Sequence, residues 1–338
     1  MRECVQSDWC QVKNFRGKNF RVKIFRDNSS GKRILGKMAL LTINHRTEYR
    51  YAKPVSFGEH RLMLRPRDSH DLKLLVGNLV IEPEPVSLRW IHDVFDNSVA
   101  IINFAARSNL LTFNITATVD HTPSDVFALT PADPAFFYPF PYGREELTDL
   151  QEFIRPQYGD PDGELTKWAL GFLKVNGGSR TFDVLSDMTH DIRAKFSYRK
   201  RHEFGTQHPL DTLQTRSGTC RDFALFMIEA LRRLGIAARF VSGYLFLPGD
   251  SAHAYVGGGS THAWVQVYLP AAGWIEFDPT NGIIGNHDLI RVAVARDPVQ
   301  AIPLHGTYVG SAETFLGMEV NINIVSGGED RKGDVHAD

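Results

Sequence analysis

From Met38 to Asp120 the chain alternates apolar and polar positions in short runs. "ALLTINHRTEYRY", "EHRLMLRPR", "NLVIEPEPVSLRWIHDVFDNSVAIINF" and "NLLTFNITATVD" are rich in β-branched and aromatic residues and are separated by Gly, Pro, Asp and Asn. A period of two between turn residues predicts strands, with a hairpin turn around Asp96-Asn97. Residues 38–120 therefore read as a β-rich domain. The next stretch, 121–143, holds five prolines in 23 residues and reads as an interdomain crossing.

Beyond the crossing the period lengthens. Helical spacing predicts helices near 145–153, 162–172 and 182–196. "RKRHEFGTQHPLDTLQ" then reads as a polar loop. Phe223, Ala224, Phe226, Met227, Ala230, Leu231 and Leu234 make one apolar stripe, and Gly235 supplies the left-handed stop of a fourth helix. "AARFVSGYLFL", "HAWVQVYLP" and "GWIEFDPTNG" return to strands. Helices feeding an antiparallel sheet make the second domain, 144–325, α+β rather than doubly wound. Residues 326–338 read as a flexible tail.

Composition narrows the function classes. The 338 residues are 43% hydrophobic and 23% charged, with a net charge of −1. No global bias points to nucleic acid or a membrane surface. No apolar run approaches the ~20 residues of a spanning helix, and no signal-peptide core opens the chain. Three cysteines (Cys4, Cys10 and Cys220) cannot make a disulfide framework, so a cytoplasmic protein is expected. Without a secretion signal, the glycosylation patterns at Asn28 and Asn114 read as chance. Residues 1–37 stand apart, with ten Lys/Arg against three acidic residues. They are expected to be a loosely ordered basic extension ahead of an alternative start at Met38; a tether to an acidic partner is the competing reading.

The candidate chemistry begins at "RSGTCRDFALF". Thr219 and Asp222 match a capping box with Thr219 at the N-cap, which places Cys220 in the first helical turn. Free backbone N–H groups and the positive end of the helix dipole both favour a thiolate there. Arg221 would assist and Asp222 would oppose.

A nucleophilic cysteine needs a base, and the base needs a group to hold its ring. His262 opens a strand that turns through "PAAG" into a second strand ending at Asp278. If Trp264 lies opposite Asp278, His262 and Asp278 are diagonal neighbours on one face, ~7–8 Å apart at the backbone. That register needs an odd-length turn, such as three residues with Gly273 in a left-handed bulge position. A two-residue Ala271-Ala272 turn would place Val265 opposite Asp278 and separate the two side chains.

"SGTCRDFALFMIEALRRLGIAARFVSGYL" and "THAWVQVYLPAAGWIEFDPTNG", at this spacing, resemble the transglutaminase-like superfamily. Residues 38–120, with "YRYAKPVSFGEHRLMLRPR", resemble the β region that precedes the core in its bacterial members. "IRVAVARDPVQAIPLHGTYVG" resembles their C-terminal segment. The resemblance covers about 38–325 and implies a papain-like core with a Cys-His-Asp triad. Position by position, Cys220 is the nucleophile, His262 the base and Asp278 the orienting acid. Gln266 departs from the pattern, standing where many relatives carry an acid.

The implied chemistry is acyl transfer through a thioester, on a protein or peptide substrate, ending in hydrolysis or in transfer to an amine acceptor. The competing class is a non-catalytic peptide-binding module that keeps the cleft. No cofactor is implied. No metal is either: no carboxylate run suggests a calcium site, and His202-Glu203 lacks the second histidine of a zinc protease. The Cys220 N–H is one oxyanion donor at the helix start; Gln207, Gln214 and Trp264 are candidates for the second. Trp264 and Trp274 are expected to pack the core or wall the cleft, and "YVGGGSTH" to form a mobile approach to the site strand.

Overall fold

A computed structural model describes residues 9–13, 19–23, 39–123, 129–175, 177–201, 205–246 and 259–327. Residues 1–37 and 38–338 form separate units. In the first, Trp9–Lys13 pairs antiparallel with Asn19–Lys23. The other residues of that extension lie outside the described set, as do His202-Glu203, His253 and the first half of "YVGGGSTH".

The period-two pattern after Met38 builds a seven-stranded sheet around one 24-residue strand, Ala39–Leu62. Leu41, Ile43, His45 and Thr47 are buried at alternate positions along it. Arg107–His121 pairs along its first half and buries Leu111, Phe113, Ile115, Ala117 and Val119 in step. The register shifts between Arg50 and Val55. Pro54 sits in that gap, and it has no N–H to give to a ladder. The expected hairpin joins Ser87–His92 to Ser98–Asn103, with Asp96 at φ 61° in the turn.

The C-terminal strands depart from the expected boundary. Leu304–Val309 and Phe315–Ser326 pair with Ala39–Leu62, so 304–326 completes the N-terminal sheet instead of extending the core to 325. The long strand would otherwise carry a row of unpaired backbone groups along that edge.

The core is an antiparallel five-stranded sheet in the order Ile283–Ile284, Gly273–Asp278, His262–Leu269, Ala238–Leu245, Leu289–Ala295. The helix Cys220–Arg233 packs on it. Arg144–Ile154, Glu164–Leu170 and Thr181–Lys195 are the three expected helices. Pro209–Thr215, which begins inside the expected loop, is a fifth helix beside these and the Cys220 helix. Its Pro209 lies in the first turn, where a missing N–H costs nothing, and His208 caps it by accepting from Leu210 N at 3.2 Å.

The Cys220 helix ends as its glycine requires. Gly235 has φ 73°, and Ile236 N reaches Leu231 O at 3.0 Å, the 6→1 bond of a Schellman cap. The stripe reading is too narrow, however. Leu225, Ile228, Asp222, Glu229 and Arg232 are buried as well, so the helix is enclosed on every side and its polar residues need internal partners.

Between the site strands, Leu269 pairs with Gly273, leaving a three-residue loop. Ala271 (φ 69°) and Gly273 (φ 74°) both take the left-handed conformation. Only the glycine does so without a Cβ penalty. Ala271→Gly is therefore expected to raise stability by about 0.5–1 kcal/mol, read as a higher urea midpoint.

Candidate active site

The three-residue loop sets the register on which the site depends. Val265 lies opposite Phe277, which puts Trp264 and Asp278 at facing positions, and His262 and Asp278 meet. His262 Nε2 is 2.7 Å from Asp278 Oδ2, and both side chains are fully buried. Asp278 also accepts from Thr280 N (2.9 Å) and from Asn281 Nδ2 (2.9 Å). One carboxylate thus holds both the turn after the strand and the imidazole.

Gly243 is the strand partner of His262. A Cβ there would lie 2.1 Å from Ile290 O and 2.6 Å from the Trp264 ring, so only glycine permits this close approach. The Trp264 ring stacks on His262 with centroids 6.1 Å apart at 28°.

The ring's other nitrogen, Nδ1, is buried with no nitrogen or oxygen partner among the described residues. Besides Asp278, Cys220 acts on the ring electrostatically, and Asn281 Nδ2 lies 3.4 Å from Nε2. Cys220 begins its helix after Thr219, as the capping pattern requires. The cap works through the carboxylate: Asp222 Oδ2 accepts from Thr219 N and Thr219 Oγ1, both at 2.8 Å. Asp222 does not stand as a bare charge against a thiolate. Arg201 grips it with Nε at 2.9 Å and Nη2 at 3.1 Å, and Gln207 N donates at 2.8 Å. Arg221 sends its guanidinium to Pro298 O (2.6 Å) and Ala301 O (3.3 Å), yet stays close enough to feel the Cys220 charge.

The suggested second oxyanion donors fare differently. Gln207 Nε2 is spent on Ser217 O (2.5 Å) and Thr212 Oγ1 (2.9 Å). Gln214 Nε2 bonds Glu164 at 3.3 Å. Trp264 Nε1 is buried without a partner among the described residues. Tyr198, missed in the sequence, lies beside Gly218 in a short parallel pair. Burial first, then the Cys220 charge, pushes its phenol up to about 12, so it remains a proton donor. Arg201 and Asn281 were missed too. Their signals, a basic run and a residue after Asp-Pro, are those of ordinary loops.

Electrostatics ties the pair together. Burial would lower His262, but the Asp278 carboxylate and then Cys220 outweigh it and raise the imidazole well above its usual 6.5. Burial would raise Asp278, but His262, Asn281 and Thr280 together hold it below the ordinary carboxylate value. A raised base stabilises fully below its unfolded pKa and loses that contribution as pH climbs toward the folded one. A lowered acid stabilises above its unfolded pKa and loses that in acid. The pair therefore contributes most between about pH 4 and pH 6.5. In urea unfolding, the gap between wild type and His262→Gln is expected to narrow from pH 6 to pH 9. A widening gap would contradict a charged imidazole.

Comparison with known proteins agrees with this architecture. Residues 174–279 match the model of the transglutaminase-like superfamily core, and residues 41–120 that of the bacterial transglutaminase-like N-terminal region. The uncharacterized protein Rv2569c of Mycobacterium tuberculosis is 27% identical over 305 residues, spanning 84% of this chain and 91% of that protein. A protein-glutamine gamma-glutamyltransferase of Pseudomonas aeruginosa is 43% identical over 68 residues, 20% of this chain and 10% of that enzyme. A proposed cysteine protease from Cytophaga hutchinsonii shares the fold, with TM-score 0.61 and 18% identity across 89% of this chain and 95% of that one. With both the core and the N-terminal region matched, the chain belongs to the transglutaminase-like superfamily, in the form that carries the bacterial N-terminal region.

Proposed function

We propose that this protein is a thiol acyl-transfer enzyme in which Cys220 is the nucleophile, His262 the acid and base, and Asp278 the orienting group. The observation carrying this reading is the polarised ring of His262, with Nε2 on the buried Asp278 carboxylate and Cys220 within electrostatic reach of the imidazole. Cys220 thiolate attacks the carbonyl carbon of a carboxamide or peptide bond. The C–N bond breaks, the departing amine takes a proton from His262, and a thioester remains. Water or an amine then attacks the thioester, giving its proton to His262 as the thiolate leaves. The Cys220 N–H at the helix start receives the oxyanion, and the Tyr198 phenol, which lies within electrostatic reach of Cys220, is assigned the second contact. The substrate class is a protein or peptide, with an amine acceptor where transfer replaces hydrolysis.

A peptide-binding module has no use for a charged pair buried beside a thiol, since charges removed from water cost several kcal/mol each before their attraction offsets it. The test is the iodoacetamide alkylation rate of each cysteine across pH 4 to 10, resolved by peptide mass spectrometry. Cys220 is expected to react below pH 7 in wild type and to lose that advantage in His262→Ala. Equal low-pH rates in the two proteins would remove the thiolate–imidazolium pair and favour the binding module.

A further inference from the structure

The strands carrying His262 and Asp278 also border a cavity of about 590 Å³, lined by Arg67, Arg239, Trp274, Glu276, Asn286 and Arg291. Its charges do not cancel locally. Arg291 takes both buried carboxylates, donating to Glu276 and to Asp71. Arg67 Nη1 is spent on Phe95 O (3.0 Å) and Asn97 Oδ1 (2.8 Å).

Arg239 is left over. Its Nε donates to Gln266 Oε1 at 2.8 Å, and its guanidinium lies 3.9 Å from the Trp274 ring centroid. Among the described residues it forms no ion pair, and its Nη atoms have no protein partner. Gln266 is a neutral amide that brings it no charge, and its own Nε2 donates to Glu276 Oε1 at 2.8 Å. Burial, and then the nearby Arg67, bring the Arg239 pKa down to about 9, with Glu276 opposing them.

A second unsatisfied group borders the same space. Asn286 is 3% exposed and donates Nδ2 to Asp71 Oδ2 at 2.5 Å, while its Oδ1 is buried with no partner among the described residues. A half-buried guanidinium without an anion and a buried carbonyl without a donor are each costly. A ligand supplying both halves would satisfy them together. Asp68 and Asp133 also line the cavity, which disfavours an extended polyanion.

We propose that this cavity binds a small oxyanion, a carboxylate or phosphate group that also carries a hydroxyl or N–H donor. Arg239 Nη atoms hold the anion and Asn286 Oδ1 accepts from the donor, with the Trp274 ring keeping the guanidinium planar against one wall. The site shares its hairpin with the triad but uses none of the triad's atoms, so it stands independently of the proposed catalysis.

Isothermal titration of the full chain with inorganic phosphate and with lactate tests this. At least one probe is expected to bind wild type at one site per chain, and which one does so identifies the class. Affinity is expected to fall about tenfold or more in Arg239→Gln, as for loss of a charge-assisted hydrogen bond. A similar fall is expected in Gln266→Glu, where an internal carboxylate takes the place of the ligand. Cys220→Ser is expected to bind as wild type does. Circular dichroism checks each variant, and Gln266→Glu decides the matter should Arg239→Gln fail to fold. Failure of both probes to bind wild type at millimolar concentration, or unchanged affinity in a folded Arg239 or Gln266 variant, overturns the proposal.

Discussion

Cys220→Ser is expected to fold with wild-type stability and to lose acyl-transfer activity by about 10³-fold or more. Hydrolysis of an activated ester such as p-nitrophenyl acetate reads this without knowledge of the natural substrate. The size follows from the chemistry: a serine hydroxyl beside His262 is far less ionised than a thiol, and removing a nucleophile leaves only the rate supplied by oxyanion contacts and binding. Asp278→Asn should act differently. The amide keeps the shape of the side chain but removes the charge that holds the imidazole protonated, so activity is expected to fall about 10²–10⁴-fold. The low-pH alkylation of Cys220 should fall with it. Full ester hydrolysis in folded Cys220→Ser would remove Cys220 from the mechanism altogether.

The largest stability effect is expected at Arg232. Its guanidinium is buried and bonds Glu229 Oε1 (2.8 Å), Phe153 O (3.1 Å), Ala238 O (3.1 Å) and Arg296 O (2.7 Å). Glu229 in turn accepts from the backbone N–H groups of Gln157 and Tyr158. The pair therefore joins the Cys220 helix to three other segments. Arg232→Met removes one partner and strands a buried carboxylate, at a cost of about 3–5 kcal/mol. The check is a lower urea midpoint with an unchanged slope. Adding Glu229→Leu should not restore stability, as it can where a buried pair is self-contained. Here the double change leaves three carbonyls and two N–H groups without partners. Recovery to within about 1 kcal/mol of wild type would show that water takes over those contacts.

Much of the site was legible because its determinants are local. The helix start at Cys220 is written in Thr219 and Asp222, and its end in Gly235. The meeting of His262 and Asp278 depended on whether the loop after Leu269 was odd or even, and Gly273 carried the cue. The Pro209–Thr215 helix was obscured because seven residues are too few to establish a helical period, and its Pro reads equally as a loop signal. Arg201 could not be assigned to Asp222 from sequence, since the two are 21 residues apart and any of several nearby cations would have served.

By itself the sequence determined the element types, the α+β class, the position of Cys220 at a helix N-terminus and the hairpin that carries His262 and Asp278. These follow from side-chain period, caps and turn residues, which act over a few positions. Tertiary structure alone decided that 304–326 returns to the Ala39–Leu62 strand and that the helix is buried on all sides. It alone decided that Arg291 takes two carboxylates while Arg239 takes none among the described residues. Each of these is a choice among chemically equivalent partners far apart in the chain, and such a choice is made by which packing leaves the fewest buried polar groups unpaired.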